Sequence, residues 1–171
     1  MTTWLAGMRA TADRLNDYPK PISYTAITAN SATTASTTEV AIITSGNVTL
    51  KNGRAYLFEI RGLIQQASAS VTDIVAFHLR RTSVSGTLLR NLGGIPVINR
   101  ATANRNNIVD ISHVGVNTTG ADITDVIVAT YNWDTGSTAT FTFAATAGTP
   151  ASLVIWDLGV ASDFPSAGPL T

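Results

Sequence analysis

The chain has 171 residues and a mass of 17.9 kDa, enough for one domain whose core removes roughly 70% of the unfolded chain's surface from water. Eleven basic and eleven acidic side chains cancel, and only 13% of residues are charged, about half the usual share of roughly 25%. Nucleic acid and polybasic membrane attachment are excluded as principal partners, because both need clustered Lys and Arg, and Arg80-Arg81 is the sole adjacent basic pair. With no cysteine, disulfide frameworks and thiolate metal sites are excluded as well.

A nearly neutral chain tends to self-associate. The expectation is a homo-oligomer, or a subunit of something larger, with neighbours covering its weakly polar faces.

The chain opens with "WLAGMRATADRLND". Trp4, Met8, Ala12 and Leu15 recur every three or four residues, which predicts a short amphipathic helix with Arg9, Asp13 and Asn16 turned away. Thr3 can cap it, and Pro19 and Pro21 end it. A helix of about three turns is not stable by itself in water, so its Trp-bearing face needs a surface in this domain or in another chain. Arg and Asp interrupt every apolar run, so the segment does not read as a secretory signal. No stretch reaches the ~18 apolar residues of a membrane span. The expected origin is the host cytoplasm, without an export signal.

Residues 22–38, "ISYTAITANSATTASTT", are small and β-branched and read as an extended arm. From Glu39 the texture changes. "EVAIITSG" and "NVTL" lead through "KNG" into "RAYLFEIRGLIQQ", where Tyr56, Phe58 and Ile60 alternate with Leu57, Glu59 and Arg61, a period of two. Asn52-Gly53 is a strong hairpin signal, since both residue types tolerate positive φ. "VTDIVAFHLRRTS" alternates again, Ser85-Gly86 turns the chain into "TLLRNLGGIPVIN", and "NIVDISHVGVN", "ITDVIVATYNW", "STATFTFAAT" and "ASLVIWDLG" follow. About eight or nine short strands at regular spacing predict an all-β, antiparallel, jelly-roll-like β-sandwich. The predicted division is an anchor helix and arm over 1–38, a sandwich over 39–160 and a tail over 161–171.

Chemical motifs are sparse. His113 has Ser112 beside it and Asp110 three residues before, but neighbours in a strand point to opposite faces, so Ser112 cannot present its hydroxyl to that imidazole. His78 falls mid-strand on the more polar face. Asp122, Asp125 and Asp134 near turns suit ordinary turn chemistry better than a Ca²⁺ loop. Two glutamates, Glu39 and Glu59, are a thin supply for glycoside hydrolysis. Trp133 and Trp156 fit a core or a subunit interface better than a sugar platform. "NVT" at 47–49 and "NTT" at 117–119 match the glycosylation acceptor pattern, a pattern that a Thr-rich chain produces by chance. The sequence points to no enzyme and no cofactor.

The opening "WLAGMRATADRLND", the strand "LKNGRAYLFEIRG" and the terminal "ASLVIWDLG" with its short tail together resemble small virion proteins of tailed bacteriophages that infect actinobacteria, of the capsid decoration, minor tail and fibre types. The likeness spans most of the chain. It implies a β-sandwich that assembles as a trimer on the virion surface and attaches to the major capsid protein or another virion protein through its N-terminal segment. Trp4, Leu5, Met8 and Leu15 are then the buried contacts of that anchor. The alternative is a tail fibre component or a receptor-binding, carbohydrate-binding module, in which "NWDTG" and "RATANRNN" contact host glycans.

Overall fold

A computed structural model describes residues 18–34, 37–66, 73–97, 105–134 and 140–171. Ten strands run through them: β1 (Lys20–Ile27), β2 (Val40–Leu50), β3 (Arg54–Gln66), β4 (Asp73–Arg81), β5 (Leu88–Val97), β6 (Arg105–Asn117), β7 (Ile123–Trp133), β8 (Phe141–Ala144), β9 (Ala151–Val160) and β10 (Gly168–Pro169). They form two sheets. The larger has the order β1-β9-β3-β6-β10 with β8 also on β3, and the smaller has the order β2-β7-β4-β5. Every pairing is antiparallel except that of β10 with β6. The all-β sandwich read from the strand pattern is the observed architecture, and the expected helix over residues 4–17 lies outside the described residues.

The alternation in β3 decides how the sheets face each other. Tyr56, Phe58, Ile60 and Ile64 are fully buried, while Leu57, Glu59, Arg61 and Leu63 turn to the other side. From the opposing sheet come Val75, Phe77 and Leu79 of β4 and Ile127, Ala129, Tyr131 and Trp133 of β7, also fully buried. Aromatic rings fill one end of the core: Trp133 and Tyr131 both meet Phe141 edge-on, with centroids 4.4 and 4.7 Å away. Such pairs add about 0.5–1.5 kcal/mol each beyond their buried area.

The Asn52-Gly53 turn is present, with Gly53 at φ +75°, joining β2 to β3 across the two sheets. What reads in sequence as two segments, "EVAIITSG" and "NVTL", is one strand with an irregularity between Thr44 and Asn47. The Ser45 hydroxyl fills that gap by accepting the Ile127 N–H at 2.9 Å.

Two boundaries differ from the expectation. Within the stretch read as an arm, residues 20–27 are an edge strand with seven register partners on β9, from Lys20–Asp157 to Ile27–Ala151. Ile22 and Ile27 pack against the core. Further on, the Ser31 and Thr34 N–H groups donate to the Phe143 and Phe141 carbonyls at 3.0 and 3.1 Å. Ile22, Tyr24, Thr25 and Ile27 are strand-forming types, and the ladder offered by β9 makes them an edge strand rather than a free arm. The terminal 161–171 is fastened too. A short 3-10 helix (Ala161–Asp163) leads to β10, Leu170 is buried, and its N–H donates to the Val116 carbonyl at 2.8 Å.

Candidate assembly surface

Strand β3 has β9 on one side and β6 on the other, so its outward residues sit at the centre of the larger sheet's outer face. Register fixes the rows. Leu57 lies between Trp156 and Val114, Glu59 between Val154 and Ser112, and Arg61 between Ser152 and Asp110. Leu63 lies between Ala144 and Ile108. On the edge strand, Tyr24 is opposite Val154.

A polar strip crosses the middle of this face. The Trp156 indole N–H donates to Glu59 Oε2 at 2.7 Å, Arg61 NH2 donates to Glu59 Oε1 at 3.1 Å, and Arg61 Nε donates to Asp110 Oδ1 at 3.3 Å. Glu59 is well covered, whereas the Arg61 and Asp110 side chains are 58% and 62% exposed. Apolar groups flank the strip. Ile108 is 77% exposed and Tyr24 66% exposed, and Leu57, Leu63, Val154 and Trp156 are half-buried around them. Ile108, on the stretch of β6 that β10 does not reach, forgoes in water up to about 1.5–3 kcal/mol that burial would give, and apolar exposure rimmed by polar residues marks an interaction surface.

The other sheet carries a closed network on its outer side. Glu39 accepts from Arg80 Nε and from the Thr130 hydroxyl, both at 2.6 Å, and His78 Nδ1 stands 3.6 Å from Glu39 Oε1. Burial of Glu39 acts to raise its pKa, but the hydrogen bonds from Arg80 and Thr130 and the nearby charges hold it below the usual value. His78 is lowered, chiefly by burial, although Glu39 pulls the other way. Glu39, Arg80 and Thr130 are matched to one another, whereas His78 Nδ1 is buried without a hydrogen-bond partner.

The candidate residues of the sequence separate in space. Ser112 is exposed on the outer face, Asp110 pairs with Arg61, and His113 points to the opposite side towards Arg90. Burial and the Arg90 charge both lower the His113 pKa. These two residues border an open depression of about 440 Å³ that Phe164, Ser166 and Gly168 also line. Arg90 NH1 donates there to the Pro169 carbonyl at 3.1 Å, so the guanidinium is a clasp for the C-terminal segment. Asp122 accepts the Asn52 N–H at 2.8 Å, and Asp125 accepts from the Thr82 hydroxyl at 3.0 Å and from Arg81 at 3.2 Å. Among the described residues no three His, Cys, Asp or Glu side chains group as metal ligands.

Trp133 is core, as its type suggested, while Trp156 is part of the outer face. Asn117 of the "NTT" pattern is fully buried with its amide hydrogen-bonded to the Leu50 and Ala121 carbonyls, whereas Asn47 is exposed. Trp4, Leu5, Met8 and Leu15, the expected anchor contacts, lie outside the described residues, as do 135–136 of "NWDTG" and 100–104 of "RATANRNN", the two candidate glycan loops. Strand alternation signalled that Leu57, Glu59 and Arg61 share a side, but nothing in the sequence signalled that Tyr24, Ile108 and Trp156 join them.

The described residues thus define an all-β, two-sheet sandwich whose larger sheet shows a partly apolar, mixed-charge outer face. No family model matches the chain, and no curated protein matches it. Among solved structures it is similar over 94% of its length to a chain of the T13 particle of infectious bursal disease virus, at 14% identity and a TM-score of 0.41. It is also similar to the VP2 subviral particle and to the Gt strain of that virus, each over 94% of its length at 14% identity, with TM-scores of 0.39 and 0.43. The chain spans 40–42% of the length of these proteins.

Proposed function

We propose that this chain is a structural subunit of a virion, a capsid decoration protein of a tailed bacteriophage of actinobacteria, which assembles as a trimer and attaches through its N-terminal segment. The observation that carries the reading is the outer face of the larger sheet, where Ile108 at 77% and Tyr24 at 66% exposure flank the strip from Trp156 to Asp110. A surface of that composition is covered in use. The low charge, the segment resemblance and the commitment of Glu39 and Arg80 to an internal ion pair fit a subunit that supplies bulk and shape.

Purified particles test it. Decoration requires this chain in hundreds of copies per virion by quantitative mass spectrometry, and a few copies point instead to a fibre or receptor-binding component. Removing residues 1–17, which spares β1 from Lys20 onward, leaves a folded sandwich that no longer joins particles. Normal incorporation of that truncated chain defeats the attachment role.

A further inference from the structure

We infer that the outer face of the larger sheet packs against further copies of this same chain, with Arg61 of one copy set against Asp110 of the next. The inference rests on the assembly reading above and names the partner of that surface.

Three features favour a second copy over a different partner. The first is charge. One strip carries both signs, with Arg61 between Glu59 and Asp110, so the surface is complementary to itself and needs no oppositely charged partner. The Trp156 indole holds Glu59 in place at 2.7 Å, whereas Arg61 and Asp110 are mostly in solvent and meet each other at a long 3.3 Å. That pair is a surface contact worth little by itself, so exchanging it for one between copies costs little, while Arg61 keeps its bond to Glu59.

The second is composition around the strip. Leu57 and Trp156 on one side, and Leu63 and Ile108 on the other, supply apolar area without a like-charge block that would keep copies apart. The chain as a whole is neutral, so long-range repulsion does not oppose their approach. The third is extent. From Leu57 to Leu63 the face runs about 20 Å at ~3.3 Å per residue, and four adjacent strands at ~4.8 Å make it comparably wide. At roughly 400 Å² this is about half of the ~800 Å² per partner of ordinary stable interfaces, the size of a weak, reversible contact between copies.

The test uses the full-length chain in size-exclusion chromatography with light scattering, with circular dichroism confirming the fold of each variant. Wild type is expected to associate at micromolar concentration. Ile108→Arg, at a side chain 77% exposed, is expected to dissociate it without loss of fold. Arg61→Asp gives a strip with three negative groups and Asp110→Arg one with two positive groups, and each is expected to weaken self-association by about tenfold or more, equivalent to ~1.4 kcal/mol.

Mixing these two charge variants is the decisive arm, because the first copy's Asp at 61 then faces the second copy's Arg at 110, and association returns. A change confined to one chain's own stability gives no such rescue. A monomeric wild type, association that survives Ile108→Arg, or charge variants that do not rescue one another each overturns the inference. Loss of association on deleting residues 1–17, with Ile108→Arg unaffected, overturns it in favour of the N-terminal segment as the contact. Particle incorporation is measured separately: an Ile108→Arg chain that still associates but decorates virions normally refutes this interface and leaves the proposed function standing.

Discussion

Arg80 grips Glu39 with two guanidinium nitrogens, Nε on Oε2 at 2.6 Å and NH2 on Oε1, while Thr130 donates its hydroxyl to the same Oε2. The pair ties the start of β2 to the end of β4, strands that are separated in the sheet by β7. Replacing Glu39 by Ala strands a half-buried guanidinium and a hydroxyl, and is expected to cost about 1.5–3 kcal/mol. Urea titration of the two proteins checks it, and a change under ~0.5 kcal/mol would mean the contact is a surface pair of little worth.

Glu39 and the two histidines, His78 beside it and His113 near Arg90 in the other sheet, give the fold its acid sensitivity. His78 and His113 have folded pKa values below 6.5, so the unfolded chain takes up protons first, and their contribution is complete above 6.5 and declines as pH falls below it. Glu39 is also lowered, from 4.5, so its contribution is complete above 4.5 and is lost as pH falls through the folded value. Calorimetry across pH should show a melting temperature that begins to drop near 6.5 and drops further below 4.5. His78→Gln should soften the first decline, and Glu39→Gln the second. Identical profiles for all three proteins would place the acid sensitivity elsewhere.

Tyr56 sets an alkaline limit by the opposite sign. Burial first, and the nearby Asp157 charge second, push its phenol up to about 12, and its oxygen accepts the Lys51 N–H at 2.5 Å. A phenol whose folded pKa lies above its unfolded value of 10.0 favours folding below pH 10 and loses that contribution as pH rises towards 12. Ultraviolet titration should find the two buried tyrosines, Tyr56 and Tyr131, both raised chiefly by burial, ionising together with alkaline unfolding, and Tyr56→Phe should remove one of them and shift that transition. A phenol that titrates near 10 with the fold intact contradicts the assignment.

The fold was legible where local pattern and tertiary demand agree. Tyr56, Phe58 and Ile60 announce an inward face by period two, and Asn52-Gly53 announces a turn by backbone freedom alone. β1 was not legible, because two prolines stand at its entry and a low-complexity Thr, Ala and Ser stretch follows it, which masked the strand-forming Ile22, Tyr24 and Ile27 that pair with β9. The outer face was hidden for the same reason at longer range. Trp156 and Glu59 share a hydrogen bond across 97 residues, and a single sequence has no periodicity at that separation. The catalytic-looking neighbours Asp110, Ser112 and His113 could be set aside in advance, because strand geometry alone sends His113 to the opposite side.

Leu170 closes the far edge of the sandwich from a stretch that reads as a loose tail. It is 2% exposed, and an added Cβ on Gly115 of β6 would lie 2.4 Å from its Cδ2. β6 therefore carries glycine opposite the leucine so that the C-terminal segment can lie flat, held by Leu170 N–H on the Val116 carbonyl, by the Thr171 hydroxyl on the Leu88 carbonyl, and by Arg90 on Pro169. These contacts bridge β6 of one sheet to β5 of the other, covering an edge that neither sheet covers itself. Leu170→Ala should cost about 2–4 kcal/mol, the range for truncating a buried leucine. Gly115→Val should displace the segment by steric conflict, raising hydrogen exchange in 164–171 and at Leu88 and Leu89 while β3 and β9 stay protected. Uniform loss of protection through both sheets would instead show that the segment is integral to a single cooperative unit.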